Sequence, residues 1–259
     1  MLPELTEAEA KGGIASVYVD IRDTMGIPQV NLIYRYFATI DGALPAIWDF
    51  LRPYFVRGDI SNAVGEFSTL LTPKALAQYT LPPSKLDADK RLAINATLDF
   101  YIRANPMNLC ALQLLTLAID DCAEIKLNRP PLLGAEELQL KLAHSIFEQR
   151  VDELMYAVSQ GAAHIRPTLL RQLQQWPDFL EMVSPMIKSI CVDATFFSLS
   201  KTVYDAAMKK SRLMLNNERL ALSPTARDEV LAFCQYFPVL LIRMTMIAKI
   251  MRNAASSEK

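Results

Sequence analysis

The sequence predicts an all-α protein made of two tandem, pseudo-symmetric helical repeats packed face to face. Three observations carry this expectation. Apolar residues recur at helical spacing through most of the chain, while two-residue alternation is sustained nowhere. Glycine is scarce, eight in 259 residues, and no Asn-Gly hairpin signal is present. Finally, the two halves of the chain match each other weakly but in the same order.

The first repeat is assigned to residues 1–127. It opens on "TEAE", where Thr6 and Glu9 have the spacing of a capping box. Val30, Ile33, Tyr34 and Phe37 then fall on one helical face. "LTPKALAQ" places Thr72 at an N-cap and Pro73 at the first helical position, and "ANPMNL" does the same with Asn105 and Pro106. A capping oxygen satisfies a free backbone N–H there, and proline loses nothing because its N–H would be unpaired anyway. Residues 128–142, opening on "NRPPLLGAEE", form a Pro-rich linker.

The second repeat is assigned to 143–259. Phe147, Val151, Leu154 and Val158 make one stripe; Leu169, Leu173, Trp176 and Leu180 make the next. "LSPTARDE" starts a helix with Ser223 as cap and Pro224 at its first position. At an offset of 136, Arg35 falls on Arg171, Phe37 on Leu173 and Leu44 on Leu180. At an offset of 132, Pro106 meets Pro238 and Leu109 meets Leu241. Typical helix lengths give about ten to twelve helices in all. Two such repeats would cover each other's apolar sides and leave a pocket between facing helices, lined from 27–37 and 164–173.

Composition bounds the function. The chain is 51% hydrophobic and 21% charged with net charge −1, which gives no electrostatic reason to expect nucleic acid or acidic lipid. "MLPELTEAEAKGG" is acidic and lacks the apolar core of an export signal. The apolar run "VLAFCQYFPVLLI" (230–242) falls short of the roughly 20 residues a bilayer requires. The four cysteines show no CxxC spacing and read as core residues of a reducing, cytoplasmic protein. His144 and His164 are near no Cys pair, and no HExxH occurs, so neither a metal nor another cofactor is expected.

"SVYVDIRDTMGIPQVNLIYRYFATIDGALPAIW" (16–48), "YIRANPMNL" (101–109), "NRPPLLGAEEL" (128–138) and "QLQQWPDFL" (172–180) together resemble the group I 2-haloacid dehalogenases. That resemblance implies an all-α fold of two tandem repeats, and it suggests a homodimer; the residues themselves leave the oligomeric state open. In that family an aspartate shortly before the Trp-Pro pair of the second repeat acts as general base. It activates a water that attacks C2 of a short 2-haloalkanoate and expels halide with inversion, with no ester intermediate. An asparagine preceding a first-repeat proline helps hold the water.

Carried over on these motifs, Asn105 matches the water-holding asparagine. Anchoring on Trp176-Pro177 puts the family aspartate at Leu169, which cannot take a proton. No Asp or Glu occurs from 154 to 177. The family's aromatic pocket positions fall on Gln29 and Leu32, and Arg35 is kept. His164, with an ordinary pKa near 6.5, is either a solvated loop residue or a substitute base. Leu169 is either an ordinary core leucine or a pocket wall. Asn105 is a cap, a pocket amide or both. Asn31 faces either the cavity or water. Arg35 and Arg171 form either a salt bridge or a clamp for a substrate carboxylate. The substrate-binding candidates are therefore Gln29, Asn31, Leu32, Arg35, Thr168 and Arg171. The reading favours a dehalogenase-like protein that binds a small carboxylic acid or other small metabolite and lacks the standard base. The alternative is an active hydrolase using His164.

Overall fold

The computed structural model describes residues 2–72, 86–119, 146–159, 166–216 and 218–256, with the backbone alone described at 146–150 and 254–256. Among them are ten α-helices, one 3-10 turn and no strand. The order is α1 (Gly12–Met25), α2 (Leu32–Phe37), α3 (Ala43–Val56), α4 (Asp59–Phe67), a 3-10 turn (Ser68–Leu71) and α5 (Ala88–Ile119). After these come α6 (Ile146–Val158), α7 (Thr168–Leu173), α8 (Pro177–Val192), α9 (Ala194–Met214) and α10 (Pro224–Ser256). α2 and α7 are both six residues long, and α5 and α10 run to 32 and 33.

α5 and α10 share the largest helix–helix contact and form the centre of the molecule. From Ala104 to Ala118 every residue of α5 is buried. A helix apolar on all sides can be covered only by other helices, and here α4, α7, α9 and α10 pack on it. α10 is long and apolar enough by composition to cross a bilayer, but 72% of that window is buried inside the protein.

The predicted stripes pack inward. Val30, Ile33, Tyr34 and Phe37 are buried, as are Val151, Leu154 and Val158. Leu169, Leu173 and Leu180 are buried too, but they belong to two helices. The chain breaks at 174–176, because Pro177 lacks the N–H to continue α7 and opens α8 instead. The Asp41-Gly42 pair makes no hairpin; Gly42, at φ 68°, caps the start of α3.

Some predicted helix starts need correction. Asn105 is not an N-cap, because Asn105 and Pro106 lie inside α5. The local rule loses there to packing on both sides of the helix, which offsets a proline cost of about 3 kcal/mol. Pro53, Pro185 and Pro238 also sit inside helices. Thr6 and Glu9 do make a reciprocal pair: the Thr6 N–H and hydroxyl donate to the Glu9 carboxylate at 3.1 and 2.6 Å. They close a turn, however, and α1 begins only at Gly12. Ser223 caps α10 as predicted, with the Ala226 N–H donating to its hydroxyl at 3.3 Å. The helix predicted from Pro73 and the linker 128–142 lie outside the described residues.

Arg243 of α10 is buried at 1% exposure. Its guanidinium lies 5.3 and 5.2 Å from the Phe196 and Phe197 ring centroids, and it faces the carbonyl of Ala157 near the end of α6. Ring faces and the negative end of a helix both favour a cation.

Candidate functional site

A cavity opens where the short helices α2 and α7 begin, between the long helices α5 and α10. Asn31, Leu32 and Ile33 line it from the start of α2, and Pro167, Thr168 and Leu169 from the start of α7. From α5 come Tyr101, Asn105 and Asn108; from α10 come Phe237, Leu240, Leu241 and Met244. Both sets follow i, i+3 or i+4, and i+7 spacing, which puts each on one helix face. The space open to the centre of a water-sized molecule is about 40 Å³. One water requires roughly 10–15 Å³ on that measure, so a few waters or the head of a small molecule fit.

The wall is mostly apolar, with its polar groups concentrated on α5. Asn108 is fully buried, and neither atom of its amide has a hydrogen-bond partner. Asn31 is buried as well, and its Oδ1 is unpaired. Tyr101 is pushed above the ordinary phenol pKa by burial. The charges of Arg35 and Arg171 oppose that shift, as do hydrogen bonds from Gln29 and Thr168. Net, the phenol stays protonated at neutral pH. Among the described residues, the wall carries no Asp, Glu, His or Cys.

A polar network flanks the cavity at Tyr101. Gln29 Nε2 donates to the Tyr101 hydroxyl at 3.3 Å, and Gln172 Nε2 donates to Gln29 Oε1 at 2.8 Å. Arg171 donates to the Thr168 hydroxyl at 3.4 Å and to Glu4 Oε1 at 2.8 Å. Arg35 Nη2 lies 3.1 Å from Glu4 Oε2, close enough for attraction but not aligned as a hydrogen bond. The segment carrying Glu4 is itself pinned. Leu5 N–H donates to the Arg35 carbonyl at 3.0 Å, and the Tyr18 hydroxyl donates to the Leu5 carbonyl at 2.7 Å. Glu7 pairs with Arg22 and accepts the Val30 N–H at 2.7 Å. Two guanidiniums and one carboxylate leave this group with one net positive charge beside Tyr101.

Of the sequence candidates, Asn31, Leu32, Asn105, Thr168 and Leu169 line the cavity. Gln29, Arg35 and Arg171 stand in the adjoining network. His164 lies outside the described residues. Asn108, Glu4 and the α10 face were not among the candidates. One signal for Asn108 was available: Asn105 and Asn108, three apart, put two amides on one face of the helix within the mostly apolar stretch 104–118.

No protein-family model and no curated protein matches the sequence. Solved structures do resemble it. A D-2-haloacid dehalogenase mutant superposes with TM-score 0.76 at 15% identity, covering 98% of this chain and 96% of that one. A D-2-haloacid dehalogenase in complex with L-LA gives TM-score 0.74 at 14% identity, with the same coverage. A mutant of that enzyme type with D-2-CPA gives 0.70 at 14%, again over 98% and 96% of the two chains. At such identities the likeness establishes the fold, which is that of the D-2-haloacid dehalogenases.

Proposed function

We propose that this chain is a dehalogenase-like protein that holds a small carboxylic acid between two tandem repeats, 1–127 and 143–259, without hydrolysing a carbon–halogen bond. The composition of the cavity wall carries the reading. Hydrolysis requires water oxygen to bond to C2 as halide leaves with the bonding pair, and the water's proton must pass to a base. Amide oxygens and a protonated phenol do not accept a proton at neutral pH. Leu169, the position that the family resemblance assigns to the aspartate, presents hydrocarbon to the cavity. Binding is supported by the unpaired donor of Asn108 and by the net positive group beside Tyr101, both suited to a carboxylate. The tandem repeat is supported by the matching order of helices, with Arg35 and Arg171 each in the fourth position of a six-residue helix.

The test combines chloride release from D- and L-2-chloropropionate with ligand-observed NMR on the wild type, Leu169→Asp and His164→Ala. Binding without chloride release from the wild type is expected. Chloride release by the wild type overturns the absence of hydrolysis, and its loss in His164→Ala then identifies the base. Failure of both enantiomers to bind overturns the acid-binding cavity.

A further inference from the structure

We infer that the Arg35–Arg171 pair is a carboxylate site which the chain fills itself, with Glu4 as the internal ligand, and that residues 2–5 form a flap displaced by an incoming acid. This rests on the proposed acid-binding reading and adds a regulation to it. Arg35 and Arg171 are each the fourth residue of a six-residue helix. Glu4 turns one carboxylate oxygen toward each guanidinium, at 3.1 and 2.8 Å. The pair adjoins the cavity through Thr168, which lines the wall and whose hydroxyl accepts from Arg171 at 3.4 Å. Both guanidinium charges also act on Tyr101, in the same wall.

Glu4 fits the pair incompletely. A carboxylate is held best side-on, by two N–H groups of one guanidinium fork. Here only Arg171 Nη1 is aligned to donate to Glu4. Arg35 Nε and Nη2, Arg171 Nε and Glu4 Oε2 are buried with no hydrogen-bond partner among the described residues. Each such group forfeits a bond that better alignment would supply. The carboxylate of a free acid is tethered to no backbone, so it can turn to meet a fork that Glu4 reaches off-axis. The exchange swaps one anion for another, and the two arginines never face each other uncompensated. The anchors of the segment set its hinge. Residues 6–9 are held by the Thr6–Glu9 turn and by Glu7 on Arg22 and the Val30 N–H. Residues 2–5 are held, besides Glu4, by burial of Leu2, by Leu5 N–H on the Arg35 carbonyl and by the Tyr18 hydroxyl on the Leu5 carbonyl. None of these is a bond within a helix, so their release leaves α1 and α2 intact.

Calorimetric titration with D- and L-2-chloropropionate tests this on the wild type, on Glu4→Gln, and on Glu4→Gln combined with Arg35→Met or with Arg171→Met. Glu4→Gln is expected to bind at least about tenfold more tightly than the wild type, because a like charge at contact distance costs a site that much or more. The gain is expected to vanish in both double variants. In the wild type, amide exchange at Leu5, whose N–H is bonded to the Arg35 carbonyl, is followed by NMR and is expected to accelerate as the acid saturates. Equal or weaker binding by Glu4→Gln, or a gain that survives loss of either arginine, overturns the inference and leaves acid binding intact. Unchanged or slower exchange at Leu5 under saturating acid does the same. No binding to the wild type overturns displacement by the acid, and no binding to either protein overturns the underlying reading as well. Should Glu4→Gln fail to fold, the exchange at Leu5 in the wild type decides alone.

Discussion

Arg35 on α2 and Arg171 on α7 face opposite oxygens of one carboxylate, that of Glu4, at 3.1 and 2.8 Å. The two arginines are 136 residues apart in sequence, and a residue near the start of the chain joins them. All three side chains are less than a third exposed. Two like charges held this close to Tyr101 are tolerable only with an anion between them. The structure thus fills the arginine pair from within the chain, and while Glu4 stays there the polar end of an acid of the proposed kind would be left to Tyr101, Asn108 and Thr168.

Glu4→Gln keeps the shape and removes the charge. Breaking a buried pair costs about 3–5 kcal/mol. Partial exposure of this group brings the expectation to about 2–3 kcal/mol, read as a lowered urea midpoint. In the Glu4→Gln background, Arg171→Met should cost less than it does in the wild type, because its cation has already lost its partner. Additive effects of the two changes would show that the triad is not an energetic unit.

The thiols offer a second check on the core. Cys110, Cys191 and Cys234 are free and buried. Burial pushes Cys110 and Cys234 up to about 12 and raises Cys191 as well. Only a thiolate attacks a disulfide reagent. At pH 8 these three should be silent to Ellman's reagent in the folded protein, and all four cysteines of the chain should react once it is unfolded in denaturant. Rapid labelling of two or more thiols under native conditions would contradict the packing around α5, α8 and α10.

How far the sequence could be read depends on the range of each interaction. The all-α class was legible because burial repeats every three to four residues, and Val30, Ile33, Tyr34 and Phe37 announce it within eight positions. Asn105-Pro106 misled, since a capping pattern is local while the packing that holds it inside α5 comes from α10 and α9. Asn31, Leu32, Thr168 and Leu169 were reachable as residues opening matched helices. Glu4 was not, because its partner Arg171 is 167 residues away and no spacing rule spans that distance. Asn108 shares a helix face with Asn105, but that this face is a cavity wall follows only from its neighbours on α2, α7 and α10.

Alkaline pH should weaken the fold. Burial raises the Tyr18 and Tyr54 hydroxyls to about 12, while each donates a hydrogen bond, to the Leu5 carbonyl and the Glu218 carboxylate respectively. In the unfolded chain a tyrosine loses its proton near pH 10. Below that value both states are protonated and the contribution is fully present. Between about 10 and 12 the unfolded chain binds fewer protons than the native one, so stability falls as pH rises through the window. Urea midpoints at pH 8, 10 and 11 should decrease in that order, and Tyr18→Phe should shallow the decline between 10 and 11. A flat profile would mean these hydroxyls ionise as freely in the native state as in the unfolded chain.

Leu169→Asp tests the cavity wall by stability as well as by chemistry. Leu169 is 1% exposed and shares the cavity wall with Leu240, Leu241 and Met244. A carboxylate placed there loses its hydration, and burial favours its neutral form, raising its pKa above the unfolded value near 3.9. The native state then binds more protons than the unfolded one between those two values, so the substitution costs more as pH rises through them. A loss of about 2–4 kcal/mol relative to the wild type is expected at pH 7.5, shrinking by at least about 1 kcal/mol at pH 5. Equal losses at both pH values would show that the new carboxylate is hydrated or paired with a cation. The wall at Leu169 would then be wetter than its leucine and methionine neighbours imply, and the case against a base at this position would weaken with it.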